Sequence, residues 1–198
     1  MKIVGICASP RRNQSTSFLL QKCLEEVRSN SSTLAKGIET EIIDLAGLDI
    51  GGCIACGKCK EGVQCSQDDD FQQLISRLGD PLIKGLVLAT PVYMGSMSSQ
   101  AKAFLDRSVV FRRNGFLFKN IVGAVLTVGG SRNGGQELTI QAVHAAMMIH
   151  DMIIVGDGHH FGGTGWSNHP DGYEGDEEGI TAARLTGRRM AEVVSLMR

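Results

Sequence analysis

No apolar run in this 198-residue sequence approaches the about 18 residues that a membrane-crossing helix needs. The opening stretch Met1-Lys2-Ile3-Val4-Gly5-Ile6-Cys7 turns polar too soon for a secretory leader. No membrane partner is expected, and the expected location is cytoplasmic. Excess charge is missing as well. Twenty Lys and Arg face 21 Asp and Glu, a net charge of −1. That balance offers no basic field for nucleic acid or an anionic surface. Internal repeats, low-complexity tracts and a clear linker are also absent. Apolar residues make up 42% and charged residues 21%, so global disorder is excluded. The expected partner is a small molecule or another protein. In a reducing compartment the six cysteines read as ligands, reactive groups or core fillers.

What is present is alternation. Apolar strand-like runs at Lys2–Cys7, Glu39–Asp44, Gly85–Thr90, Ile121–Val128 and Met152–Val155 are separated by helical stripes. The helices are expected at Thr16–Ser29, from Asp68-Asp69-Asp70 through Leu78, and over Ser98–Val110, Gln136–His150 and Gly179–Arg198. Pro91 is expected to end the third strand. The pattern predicts an α/β fold, a doubly wound five-stranded parallel sheet with helices on both faces. The whole chain, 1–198, reads as a single domain with a cysteine-rich insertion at about 50–67. Such sheets bind ligands beyond the strand C-termini, where strand order reverses.

Three loops reach that edge. Ala8 to Ser17 is rich in hydroxyls and feeds a helix N-terminus, an anion site. Ser9, Ser15 and Thr16 can donate hydroxyls to a phosphate, and Arg11 a charged contact. There is no G-x-G-x-x-G for a dinucleotide and no G-K-[ST] for a triphosphate. An ordinary loop capped by Ser15 or Thr16 is the plain alternative. Pro91-Val92-Tyr93-Met94-Gly95-Ser96 follows the third strand and suits a flat aromatic ligand. Gly129-Gly130-Ser131-Arg132 and the glycines after it follow the fourth, offering backbone N–H groups to a polar ring edge. Two flexible turns would be the plain alternative there.

Ser9-Pro10-Arg11 with Ser15-Thr16, Thr90 to Ser98, and Gly129-Gly130-Ser131 together resemble the NADPH-dependent FMN reductase group of flavodoxin-like proteins. One departure is Gln14, where relatives often carry Gly or Asn. The resemblance implies a flavodoxin-like fold, FMN phosphate on the first loop and the isoalloxazine ring between the other two. It further implies a homo-oligomer, a dimer or tetramer, whose neighbouring loops approach the flavin.

Cys53, Cys56, Cys59 and Cys65 read C-x2-C-x2-C-x5-C. The short gaps let thiolates converge, as in the cysteine run that holds a four-iron cluster, although the last gap is longer and no Pro follows Cys65. A zinc site, an empty or redox-active thiol loop, and a disulfide pair formed in air remain open. The arrangement resembles the iron–sulfur flavoproteins, whose compact motif lies between the second strand and its helix; that implies a [4Fe–4S] cluster. Its loop is expected on the flavin edge of the sheet. Cys7 and Cys23 read as packing. In 156–178, Trp166 and Tyr173 are expected to be exposed and to contact a neighbouring subunit, and Asp176-Glu177-Glu178 to form an acidic first helical turn.

The expected function is electron transfer through FMN and a [4Fe–4S] cluster, with ferredoxin or NAD(P)H as redox partner and no catalytic side chain named. The alternatives are an NAD(P)H-dependent FMN or quinone reductase without a cluster, and a zinc-bearing non-redox module.

Overall fold

The apolar runs fold as strands because both of their faces are covered. The computed structural model describes residues 1–33 and 37–197. In chain order it contains β1 (Lys2–Cys7), α1 (Ser15–Thr33), β2 (Glu39–Asp44), α2 (Phe71–Leu78), β3 (Ile83–Tyr93), β4 (Ser96–Met97) and α3 (Ser99–Arg107). Then come α4 (Val109–Arg113), β5 (Val122–Gly129), α5 (Gln136–Ile149), β6 (Ile153–Ile154), β7 (Gly163–Trp166) and α6 (Glu177–Leu196). The sheet runs β2-β1-β3-β5-β6, all parallel along that path. Alternate residues of each central strand serve opposite layers. Val4, Leu86 and Leu88 pack with Phe71, Phe104 and Phe111, on the side of α2, α3 and α4. Ile3, Val87 and Ala89 pack with Leu20, Leu24, Met190 and Val194 of α1 and α6. Cys7 and Cys23 are buried in this second layer, and burial pushes their thiols up to about 11 and about 12.

Among the described residues the sheet has seven strands, not five. The expected fifth strand is split: β6 pairs with Val122 and Gly123, and β7 with Leu126 to Gly129, on the same side of β5. The chain makes an excursion between them. It can return only through glycine, since a Cβ on Gly162 would lie 2.4 Å from Val125 O and one on Gly163 2.4 Å from Leu126 Cδ2. The other added strand is β4, antiparallel to the end of β3.

Pro91 does not end β3. It pairs with Val128 of β5, and the strand continues to Tyr93. Ala89 O accepts from Ala8 N on the β1 side. Strand alternation turns the Pro91 nitrogen to that same side, where β1 has already ended, so the missing N–H costs no ladder bond.

The helix expected over Ser98–Val110 breaks at Ser108, whose Oγ donates to Leu105 O at 2.6 Å and lies 2.8 Å from His150 Nε2. Such local side-chain bonding competes with helix continuation. The last helix begins at Glu177 behind an Asp176 cap that accepts from Gly179 N at 3.1 Å. Arg198, the expected last residue of that helix, lies outside the described residues. Among the described residues no helix is long and apolar enough to cross a membrane.

His150 makes stability pH-dependent. It is 5% exposed beside Phe118, and burial, helped by the Arg112 charge, pushes its pKa down to about 4. The unfolded chain takes up this proton first, near pH 6.5, and the folded chain only near 4. Stability from neutral His150 is therefore present above about 6.5 and is lost as pH falls toward 4. Denaturant titrations should show a loss of about 2 kcal/mol between pH 7 and pH 5 from this group. His150→Gln should flatten that dependence; an unchanged slope would remove His150 as its source.

Candidate functional site

Strand order reverses between β1 and β3, so their C-terminal ends open a crevice. Ser98 ties the two ends together. Its Oγ donates to Ala8 O at 2.5 Å, and its backbone N donates to Thr90 Oγ1 at 3.1 Å. The same Oγ accepts from Ala101 N at 3.2 Å, capping α3. One buried hydroxyl thus fixes both walls of the crevice and the helix that leaves it.

The loop from β1 into α1 has the makings of an anion site. Ser9 Oγ accepts from Arg11 N at 3.1 Å, and Asn13 sits at φ 52°. No protein acceptor among the described residues takes the amides of Asn13, Gln14, Ser15 or Thr16. Ser15 and Thr16 are largely buried, and their hydroxyls make no hydrogen bond among the described residues. Free amides, hydroxyls and the positive end of a 19-residue helix suit a phosphate. The two arginines differ. Arg12 donates from Nε and Nη2 to Ala46 O, at 3.2 and 2.7 Å, whereas the Arg11 guanidinium is exposed and has no bonding partner among the described residues.

The second loop is a tight hairpin. Tyr93 pairs with Ser96 across Met94 (φ 49°) and Gly95 (φ 76°), the two positive angles of a type I′ turn. Met94 is held fully exposed at the tip. Pro91 is buried, Val92 half-buried and Tyr93 exposed at the crevice rim. The third loop abuts this hairpin: a Cβ on Gly135 would lie 3.5 Å from Val92 Cγ1 and 3.6 Å from Gly95 Cα. Gln136, 3% exposed, organises it from inside. It accepts from Gly134 N at 2.7 Å and donates to Ser131 O at 2.6 Å and Gly165 O at 3.1 Å. Gly129 must lack a side chain because a Cβ there would lie 2.5 Å from Gln136 Nε2. Gly130 O accepts from Trp166 Nε1 at 3.0 Å. Arg132 is engaged away from the crevice: it pairs with Asp176 and, at 3.2 Å, Glu178, and lies over Trp166. Trp166 and Tyr173 are half-buried rather than exposed. Tyr173 packs edge-on against Phe18 at 5.5 Å, so both aromatics have partners in their own chain.

The cysteine segment is closed at its neck. Asp49 N donates to Asp70 Oδ2 at 2.7 Å, and Gly51 N to Asp69 Oδ2 at 3.1 Å. Arg107 grips Asp69 with both Nη atoms, at 2.7 and 2.9 Å, donates to Gly51 O at 3.0 Å and stacks 4.5 Å from the Phe71 ring centre. Those Arg107 contacts, largest among several causes, hold the Asp69 carboxyl below its ordinary value. The aspartates before α2 therefore do more than begin a helix: Asp69 Oδ1 accepts from Phe71 N, while Asp70 makes no capping bond of its own to the helix.

Cys53, Cys56, Cys59 and Cys65 are all free and line one cavity of about 320 Å³, together with Arg107 and Arg113. That is roughly ten water volumes. Arg113 Nη1 donates to Cys59 Sγ at 2.9 Å, and Asn114 Nδ2 holds the carbonyls of Cys59 and Gly62. A hydrogen bond with Ser66, first, and backbone amides, next, lower the Cys56 thiol pKa. Among the described residues no three ligating groups converge as one ion would need. Zinc would require four thiolates about 2.3 Å from a single centre. A four-iron centre asks each cysteine to reach only its own iron, and four thiols lining one cavity are the donor set such a centre takes.

The loop leaves β2 at the crevice edge, as the sequence led one to expect, with Ala46 O accepting from Arg12, and its cysteine cavity lies farther along. It lies at the C-terminal end of α3, one helix length, on the order of 14 Å, from Ser98. Sequence reasoning found all four cysteines and the three crevice loops. It missed Arg107, Asp69, Arg113 and Gln136, since nothing local marks a helix arginine that turns inward.

A family model described as NADPH-dependent FMN reductase matches residues 1–167. An iron-sulfur flavoprotein of Methanosarcina thermophila is 40% identical over 197 residues, covering 100% of this chain and 97% of its own. One from Methanocaldococcus jannaschii is 40% identical over 201 residues, covering 100% of both. Among solved structures, a WrbA-like flavodoxin protein from Agrobacterium tumefaciens matches with a TM-score of 0.64 at 19% identity, covering 100% of this chain and 99% of that one; it bears on the fold alone.

Proposed function

Because the chain belongs to the NADPH-dependent FMN reductase family, we propose that it passes electrons between FMN and a [4Fe–4S] cluster held by Cys53, Cys56, Cys59 and Cys65. The observation that carries the cluster is four free thiols around one cavity. The relatives named iron-sulfur flavoproteins, aligned over the full chain, support it.

In this reading the amides and hydroxyls around Ser9, Ser15 and Thr16 hold the FMN phosphate, with the exposed Arg11 as a cation beside it. The Pro91–Ser96 hairpin covers one side of the ring, and Gly129 and Gly130 face its polar edge. Arg132 braces that loop from outside through Asp176. The bound groups supply the redox chemistry itself, flavin in one- or two-electron steps and the cluster in single electrons. The protein orients the ring, keeps the cysteines in register and leaves Met94 and Tyr93 at the rim. Ferredoxin-like proteins fit as redox partners of such a protein.

Absorption spectra with iron, sulfide and zinc analysis of anaerobically purified protein test the reading. Flavin with [4Fe–4S] stoichiometry is expected. Stoichiometric zinc, or flavin without metal, overturns the cluster. The family's reductase activity favours a second reading, NAD(P)H as direct donor. Rapid anaerobic bleaching by NADPH or NADH would establish it, and rapid reduction by ferredoxin alone the carrier. Arg11→Ala should weaken FMN binding by about 1.5–3 kcal/mol, the range of a charge-assisted bond. Unchanged affinity in a fluorescence titration would remove Arg11 from the phosphate site.

A further inference from the structure

Arg107 is 2% exposed and lines the cysteine cavity. Its two Nη atoms are spent on Asp69 and the Gly51 carbonyl. Its Nε is buried with no acceptor among the described residues. A guanidinium serving only to seal the loop neck would leave that N–H desolvated at a cost of about 1–3 kcal/mol. Cys65 lines the same cavity as Arg107, so the acceptor chemistry on offer to that N–H is sulfur.

We propose that Arg107 is a positioning residue for the centre held by the four cysteines, its Nε–H donating to a sulfur on the Cys65 side and raising that centre's reduction potential. The inference rests on the cluster reading above. The direction follows from charge. One-electron reduction adds a negative charge to the cluster and its thiolates, and a fixed donor stabilises that state more than the oxidised one. Asp69 and Phe71 hold the guanidinium plane, so the donor is already in place before the electron arrives.

The test is a spectroelectrochemical titration of anaerobically prepared protein. Arg107→Lys keeps the charge but lacks the Nε–H. A double variant, Asp69→Asn with Arg107→Gln, removes the donor without stranding a buried charge. Each should lower the reduced-to-oxidised ratio at the wild-type midpoint at least tenfold, about 59 mV for a one-electron couple. FMN affinity should stay as in wild type. Arg189→Gln, which alters an exposed arginine of α6 paired with Glu192 and outside the cavity, should leave the ratio as in wild type. Unchanged midpoints in both Arg107 variants overturn the inference and leave the cluster reading standing. A cluster-free wild type overturns the cluster reading itself. A readout without any Arg107 variant uses Arg113→Gln protein carrying guanidino-15N arginine. Pulsed electron paramagnetic resonance of its reduced cluster should show a coupled arginine nitrogen, and its absence also overturns the inference.

Discussion

Alanine at any one of Cys53, Cys56, Cys59 or Cys65 is expected to reduce bound iron to background while FMN stays bound. The expectation follows from how the cavity is built. All four thiols face one space, and no spare cysteine stands beside it: Cys7 and Cys23 are buried in the layer under α1 and α6. Loss of one ligand therefore cannot be made good from elsewhere in the chain. Flavin should survive because Ser98 anchors its crevice about a helix length away, with hydrogen bonds to Ala8, Thr90, Ala101 and Lys102. Cys23→Ala is the matched control. It should keep full iron and cost only packing, on the order of 1 kcal/mol for one small buried group. Iron and sulfide analysis beside the flavin spectrum decides. Iron retained at wild-type level in any of the four variants would remove that cysteine from the ligand set. Loss of iron and FMN together would mean that the loop and the crevice fold as one unit.

The parts of the fold that sequence makes legible are those where one physical effect dominates. Lys2–Cys7 and Glu39–Asp44 are strands over just the expected residues, because runs such as Ile3-Val4 and Ile42-Ile43 fit little else beside loop-forming neighbours. Phe71, Leu74, Ile75 and Leu78 mark the buried face of α2 at helical spacing. Tertiary context overrides local signals elsewhere. Pro91 reads as a stop, yet an absent neighbour makes its missing N–H harmless. Ser108 reads as a helix residue, yet it turns to His150, 42 positions away. The site divides in the same way. Cysteine spacing and the hydroxyl-rich loop are local and visible. Arg107 looks like any surface residue of α3, and only the fold brings Asp69 and Gly51 to it. Gln136 likewise reads as a first-turn polar residue, and only the return of β7 makes Gly165 O its partner.

Gly187→Ala is expected to destabilise the protein although alanine is the better helix former. The sequence puts Gly187 on the apolar stripe of α6 with Ala183, Met190 and Val194, and the structure shows why it is glycine. Its Cα faces the backbone of α1, and a Cβ there would lie 2.2 Å from Cys23 O and 3.0 Å from Cys23 C. Two terms compete. Alanine in a helix interior gains about 1 kcal/mol over glycine. Against it, a methyl group meets a carbonyl that is itself fixed within α1 and cannot rotate aside. The two helices must move apart by roughly an ångström. Leu20, Leu24, Val27, Met190 and Val194 all pack across that seam and would lose contact together. Overpacking of this kind costs about 1–3 kcal/mol and sometimes more, and the rigid neighbour puts Gly187 at the upper end. The net expectation is a loss of about 2 kcal/mol for alanine. Valine there should leave no cooperative transition in a chain whose whole stability is about 5–15 kcal/mol. Gly52, with open space where its Cβ would be, is the control, and Gly52→Ala should leave the midpoint nearly unchanged. Urea titrations at pH 7.5, where His150 is neutral in both states, compare the variants. A Gly187→Ala midpoint at or above wild type would show that α1 and α6 can separate at no cost, contrary to the close seam that places them.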